Sequence, residues 1–247
     1  MNGLVLRVRT RSKVLDYRFV GTAAQPERWW EKPYGRWTDF SRPTILVEPG
    51  RFFVSGISSR RRTDSKGARI HYALLAEVTR EGCVLAAQVL AWLCEVRQRT
   101  GSLEEVGERL DALDEEAWSA AVQGDPAAVH RIEAAVIDLA RQNAHALEPV
   151  LAPRRFPLAA EDPRAFVQLA AVAAEVVALE AGREECAVYL NLASSSELDQ
   201  LNRCKGSAIV CRELDKPPKP SRPLLAGVAV AMLGLVLVAA LLLTVTG

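Results

Sequence analysis

The segment TILVEPGRFFVSGI, residues 44–57, contains two runs of β-branched and aromatic residues on either side of Pro49-Gly50. Such residues favour β-strands. Proline fixes φ at about −65° and glycine accepts a positive φ, which suits the two central positions of a type II turn. The segment therefore predicts an antiparallel hairpin with strands at 44–48 and 51–57.

Similar runs on both sides of this hairpin extend the β prediction to the first eighty residues. They lie at 4–9, 14–20 and 69–78. The intervening stretch GTAAQPERWWEKPYGRWTDFSR, residues 21–42, has little periodicity, and we expect a long loop over the sheet.

From residue 81 to about 180 the apolar residues recur with a helical period, which predicts four helices. Gly101 is expected to end the first, and Ser102-x-x-Glu105 to open the second as a capping box. Asp125-Pro126 and Asp162-Pro163 have the pattern of an N-cap acceptor followed by proline at the first helical position.

The pattern returns to strand at CAVYLNL, 186–192, and AIVCREL, 208–214, about fifteen residues apart. That spacing allows a β-α-β crossover. The predicted fold class is α+β, with an N-terminal antiparallel β region, central helices, a C-terminal β-α-β unit and one transmembrane helix. The regions are 1–80, mainly β and basic; 81–214, mainly helical and acidic, either separate from 1–80 or one domain with it; a Pro/Lys juxtamembrane linker at 215–223; and a transmembrane helix at 224–244.

The membrane prediction comes from LLAGVAVAMLGLVLVAALLL, Leu224–Leu243, twenty residues without a charge. Twenty helical residues span roughly 30 Å, the thickness of a bilayer's hydrocarbon core. Lys216, Lys219 and Arg222 precede the segment, so by the positive-inside rule residues 1–215 are expected to face the cytoplasm. We expect a tail-anchored, single-pass protein of the inner membrane with its C-terminus at the outer face.

Small residues form a narrow face on this predicted span, at Gly227, Ala231 and Gly234. Such a face lets helices approach closely and favours self-association. In a segment rich in Ala and Gly, chance alone also supplies such a face.

Charge is distributed unevenly along the chain. Residues 1–80 contain 16 Lys and Arg against 7 Asp and Glu, a net charge of +9, while the remainder contains 15 against 23, a net charge of −8. The two parts are expected either to dock on one another or to present different faces to partners. Arg outnumbers Lys 25 to 6, a usage typical of GC-rich bacteria.

The most basic stretch, residues 56–75, suggests a weak candidate site for a partner or anionic ligand. Guanidinium groups pair bidentately with phosphate, so a nucleotide, nucleic acid or the anionic inner leaflet would fit, with nucleic acid the least favoured. The alternative is a solvated connection between two strands. The candidate residues are Arg60, Arg61, Arg62, Asp64, Lys66 and Arg69.

Aromatic residues in the 21–42 loop form a second weak candidate, Trp29, Trp30, Tyr34 and Trp37. They could stack on bases. The alternative, which we favour, is that they cover the open face of the sheet.

The sequence assigns no catalytic residue, metal or cofactor. The three histidines, His71, His130 and His145, lack metal-binding spacing. The five cysteines form no CxxC pair and are expected to be reduced thiols.

The RRTDSKGAR turn, residues 61–69, and the C-terminal span resemble the small tail-anchored components of bacterial conflict and anti-phage defence systems, over residues 44–78 and 215–247. The resemblance implies a cytosolic domain that senses a signal and a membrane part that acts as the effector. We therefore expect an adaptor that brings another protein or an anionic ligand to the bilayer, with clustering of the span as its effect. The alternative is a tethered enzyme acting on a phosphorylated or nucleotide-like substrate, with a site built from Asp64, Arg69 and His71 or from the aromatic loop.

Overall fold

The computed structural model describes residues 3–13, 15–21, 26–35, 38, 40–143, 157–159, 162, 164–190 and 208–211. Within them the fold is α+β, as the sequence predicts. The strands are β1 (Leu4–Thr10), β2 (Arg18–Phe19), β3 (Thr44–Glu48), β4 (Arg51–Thr63), β5 (Arg69–Val78), β6 (Pro157–Ala159), β7 (Ala187–Leu190) and β8 (Ala208–Cys211). The helices are α1 (Glu31–Tyr34), α2 (Cys83–Thr100), α3 (Glu104–Leu110), α4 (Glu115–Gln123), α5 (Pro126–Gln142) and α6 (Ala165–Val177), and a 3₁₀ turn at Arg80–Gly82 precedes α2.

All eight strands belong to one sheet, in the order β2-β1-β5-β4-β3-β7-β8-β6. Neighbours from β2 to β7 are antiparallel, and β7, β8 and β6 run parallel. Ile45 of β3 pairs with Tyr189 of β7, which joins the first eighty residues to the later part of the chain in one sheet. The residues between β7 and β8, where the sequence predicts the crossover helix, lie outside the described part.

The hairpin at 44–57 forms as predicted. Glu48 pairs with Arg51 across a two-residue connection, and Gly50 has a φ of 71°. L-residues rarely adopt this conformation, which explains the glycine. β4 is longer than expected, however, and continues to Thr63 with register shifts against β5. The prediction that Arg60, Arg61 and Arg62 lie in a connection is therefore wrong; they belong to the strand.

The sequence also overestimates β2. A strand was predicted at 14–20, but only Arg18 and Phe19 pair with β1. Ser12 and Leu15 close a turn just before them, because the Leu15 amide donates to the Ser12 hydroxyl and the Ser12 amide to the Leu15 carbonyl. A serine hydroxyl that accepts from a nearby backbone amide competes with strand pairing.

Both faces of the sheet are covered. Helices pack on one face, where α6 lies against α2 and strands β3, β7 and β8, while α3 lies on β4. The other face carries a smaller apolar cluster, which includes Phe19, Trp30 and Phe53. The segment around α1 supplies its outer layer, so the loop expected at 21–42 contains a one-turn helix.

Two of the four predicted helix ends are confirmed. Asp125 caps α5 with Pro126 behind it, and Gly101 ends α2 in the left-handed conformation. α4 was missed, although Asp114 caps it. α6 begins at Ala165, two residues beyond Pro163, and Leu103 rather than Ser102 is at the N-cap of α3.

The predicted membrane span, with Gly227, Ala231 and Gly234, lies outside the described residues. Among the helices that the structure describes, none combines the length and apolar character needed to cross a bilayer.

Candidate binding surfaces

Arg62 is buried in the protein, with 5% of its surface exposed. Its guanidinium donates to the Glu115 carboxylate of α4, to the Arg11 carbonyl at 2.8 Å and to the Tyr72 hydroxyl at 3.2 Å. Burial alone would lower the pKa of Arg62, but the interactions of its guanidinium with the Glu115 carboxylate and the Tyr72 hydroxyl outweigh burial and raise the pKa. Arg62 is therefore held as a charged anchor between the sheet and α4.

Asp111, which follows α3, fixes the end of β4. Its carboxylate accepts from the Ser59 hydroxyl and the Tyr72 hydroxyl, each at 2.7 Å, and from the amides of Arg60 and Arg61 at 2.7 and 3.0 Å. Only 7% of Asp111 is exposed. Burial raises the pKa of Tyr72, so the phenol stays neutral and donates to Asp111.

Arg60 and Arg69 are paired but remain exposed. Arg60 lies 3.0 Å from Glu108, and Arg69 lies 2.9 Å from Glu104, with side chains 52% and 59% exposed. Ion pairs at this exposure contribute about 0–1 kcal/mol. An incoming anion can therefore replace Glu104 or Glu108 at little cost.

Arg61 and Lys66 are the part of the predicted cluster that stays open. Both residues are exposed, and among the described residues neither side chain has an ion-pair partner. We call Arg60, Arg61, Lys66 and Arg69 the basic tip. Arg62 is excluded from it because it is buried.

Asp64 has a local role in the turn between β4 and β5. Its carboxylate accepts from the amides of Lys66 and Ala68 at 2.8 and 2.9 Å, and Arg11 lies 3.2 Å away. The amide hydrogen bonds from Lys66 and Ala68 lower the pKa of Asp64. Asp64 therefore shapes the turn that presents the basic tip.

His71 of β5 lies beside Ser58 of β4, on the face of the sheet opposite to Tyr72. The Ser58 hydroxyl and His71 Nδ1 are 3.1 Å apart, and which atom donates depends on the imidazole tautomer. The Tyr17 hydroxyl accepts from the His71 amide at 3.0 Å. A serine hydroxyl within hydrogen-bonding distance of a histidine nitrogen is one requirement of a nucleophilic site.

The described aromatic residues of the 21–42 segment face the sheet. Trp29, Trp30 and Tyr34 are 8%, 3% and 3% exposed. Trp30 stacks on Phe53 with ring centroids 4.0 Å apart and planes 7° apart. This is the packing expected of a cover over the sheet, and these rings present no open face to a base. Trp37 lies outside the described residues.

A cleft that the sequence did not reveal lies at the opposite end of β4, beside Arg51. It encloses about 850 Å³ between the β3–β4 turn, the start of α2 and the segment after α6. Arg51 and Arg60 are nine residues apart along β4, so roughly 30 Å of strand separates the cleft from the basic tip. Its arginines, Arg51, Arg80 and Arg183, come from distant parts of the sequence, so no motif marks it.

No group of histidines, cysteines and carboxylates suited to a metal ion occurs in the described part of the chain. Cys83, Cys94 and Cys186 form no disulfide in the described part of the chain, and burial raises the pKa of Cys94 to about 12. Comparisons with protein-family models, with curated proteins and with solved structures found no match.

Proposed function

We propose that this protein is a membrane-attached adaptor whose folded part captures a partner protein through the basic tip and retains it at the bilayer. The observation that carries the proposal is the uncharged twenty-residue segment Leu224–Leu243 behind a folded α+β body. The same proposal includes a single span, with the folded part at the cytoplasmic face of the inner membrane. It also includes clustering of the spans through Gly227, Ala231 and Gly234. A role in bacterial defence rests on the resemblance given above.

The structure supports the capture step by separating two kinds of basic residue. Arg62 is buried by Glu115 and Tyr72, while Arg61 and Lys66 are exposed and lack an ion-pair partner among the described residues. Arg60 and Arg69 have weak surface pairs. A partner with an acidic surface can therefore bind the basic tip without disturbing the fold of this protein.

Membrane attachment is tested by extraction of cell membranes with alkaline carbonate. The full chain should remain in the pellet, and a chain ending at Asp215 should appear in the supernatant. Equal release of the two chains would contradict the proposed span.

Partner capture is tested in membranes by chemical crosslinking and mass spectrometry. Arg61→Glu combined with Lys66→Glu should remove a specific crosslinked partner, because two attractive charges become repulsive. Arg131→Glu on α5 is the control, since Arg131 is also exposed but distant in the chain. A partner set that is the same in all three proteins would exclude capture by the basic tip.

The contact of Ser58 with His71 favours a second candidate, a tethered enzyme acting on a phosphorylated or nucleotide-like substrate. In such an enzyme His71 would act as the general base for Ser58. Hydrolysis of p-nitrophenyl phosphate by the full chain should then be lost in both Ser58→Ala and His71→Ala, and should persist in His130→Ala. Turnover that is absent in the parent protein, or that survives both changes, would exclude this candidate for that substrate class.

A further inference from the structure

Helix α3 carries three glutamates, and two of them contact the basic tip. A carboxylate oxygen of Glu104 lies 2.9 Å from a guanidinium nitrogen of Arg69 and 3.6 Å from one of Arg60. A carboxylate oxygen of Glu108 lies 3.0 Å from Arg60. The third, Glu105, pairs instead with arginines outside the tip. One short helix thus presents two carboxylates to the basic tip and one elsewhere.

Apolar packing and buried hydrogen bonds hold α3 in place, independently of these ion pairs. Val106 and Leu110 of α3 are buried in the core. Asp111, directly after the helix, accepts hydrogen bonds from the amides of Arg60 and Arg61. Burial of aliphatic side chains contributes far more free energy than exposed ion pairs do. The two glutamates can therefore leave the arginines by a change of side-chain rotamer while the helix stays docked on β4.

Three other carboxylates near the tip have partners of their own. Asp64 lies 3.2 Å from Arg11 and accepts from two backbone amides of the turn. Glu115 pairs with Arg62. Asp111 is buried and accepts from two hydroxyls and two amides. In the described part of the chain, the two α3 glutamates are therefore the acids that contact the guanidinium groups of the tip.

We infer that Glu104 and Glu108 are an intramolecular competitor for the basic tip, which a partner must displace with carboxylates of its own. The inference rests on the proposed capture of a partner by the tip. A strongly acidic segment supplies new carboxylates to Arg60 and Arg69, so both arginines remain paired after the exchange. A neutral segment, or one with a single acid, leaves at least one of the two glutamates in place. The partner is therefore a segment with several neighbouring Asp or Glu residues.

The competition raises selectivity at the expense of affinity. The two glutamates repel any acidic surface that approaches, and such repulsion discriminates between partners. Only a partner whose attraction to all four basic residues exceeds this repulsion is retained. Removal of the two negative charges should therefore tighten the binding of every acidic segment.

The test uses fluorescein-labelled hexaglutamate as the probe. Its binding to the full chain in an uncharged detergent is followed by fluorescence anisotropy at low ionic strength. Glu104→Gln combined with Glu108→Gln should lower the dissociation constant about three- to tenfold, because two repulsive charges are removed next to the bound carboxylates. Glutamine has nearly the same size as glutamate, and circular dichroism checks that the double variant is folded.

Glu105→Gln combined with Glu77→Gln is the matched control. It changes the net charge of the protein by the same amount, but Glu105 pairs with Arg99. Glu77 pairs with Arg7 near the other end of β5, eight residues or roughly 26 Å from Arg69. The control should bind hexaglutamate about as tightly as the parent protein does.

Three results would overturn the inference, and they differ in what they say of the proposed function. If the α3 double variant binds no more tightly than the control, the glutamates do not compete, while loss of binding in Arg61→Glu with Lys66→Glu still supports capture by the tip. If the gain persists when those two substitutions are added to the α3 variant, the probe binds elsewhere. If no variant binds hexaglutamate, capture of an acidic partner by the tip is contradicted as well.

Discussion

Single residues in the basic cluster differ in role although they are adjacent in sequence. Arg61 is exposed, whereas Arg62 contacts Glu115, Tyr72 and the Arg11 carbonyl in the interior. A buried charge is tolerated only when it is paired and hydrogen-bonded. Asp111 satisfies the same condition with four donors, so Arg62 and Asp111 fix the end of β4 rather than bind a ligand.

Asp111→Ala should lower the free energy of unfolding by about 3 kcal/mol, since buried donors of Ser59 and Tyr72 lose their acceptor. Asp114→Ala, which removes the exposed N-cap of α4, should cost about 1 kcal/mol. Denaturation of the full chain in detergent, followed by tryptophan fluorescence, measures both. Equal losses would mean that the Asp111 network adds nothing beyond an ordinary helix cap.

At the scale of secondary structure, α3 is the element that brings acidic residues to the basic part of the sheet. It lies against β4 so closely that a Cβ at Gly107 would be 2.1 Å from the Ser58 carbonyl oxygen. That approach places Glu104 and Glu108 beside Arg60 and Arg69. The docking of α3 thus decides how much of the basic tip is open.

Gly107→Ala should destabilise the protein by about 1–3 kcal/mol, because the added methyl group pushes α3 off β4. Intrinsic helix propensity alone would give the opposite sign, a gain of about 1 kcal/mol. Glu108→Ala, one residue further, removes only a surface pair and should change stability by less than about 1 kcal/mol. Thermal unfolding of the three proteins measures the difference, and a stabilised Gly107→Ala would show that α3 does not pack this closely.

At the scale of the whole molecule, the basic and the acidic parts of the chain contact one another. The basic first eighty residues form most of the sheet. In the acidic segment that follows, α3 packs on β4, and α4 contacts the sheet through Glu115 at Arg62 and Trp118 at Tyr72. Arg60, Arg62 and Arg69 each pair with a glutamate of these helices. The acidic segment therefore neutralises at least these three basic residues inside the folded part.

Acid should consequently destabilise the fold. Hydrogen bonding to Arg99 lowers the pKa of Glu105, so its contribution is present above the unfolded pKa, about 4.3, and is lost as the pH falls through the lower folded value. Glu105→Gln should lower the unfolding temperature at pH 7 and show a smaller further loss between pH 5 and pH 3, a range of about two units. If the Glu105→Gln variant has the same pH dependence as the parent protein, the Glu105 carboxylate does not contribute to the loss of stability in acid.

The sequence by itself determined the fold class, the hairpin at 44–57 and the helix ends marked by Gly101 and Asp125, because these depend on backbone preferences of neighbouring residues. It also determined the apolar segment at 224–243. The full length of β4, the start of α6 and strand β6 were not predicted, since contacts with distant residues decide them. For the candidate sites, the sequence located the basic residues at 60–69 and could not rank them.

Only the tertiary structure decided that Arg62 is buried while Arg61 is open, because the acceptors of Arg62 lie at Arg11, Tyr72 and Glu115. It likewise brought Arg80 and Arg183 to one cleft across 103 positions of sequence. The composition and the hydrophobic period of a segment indicate the local conformation that its residues favour. Burial and pairing depend on which segments meet in space, and that is settled when α3, α4 and α6 pack on the sheet.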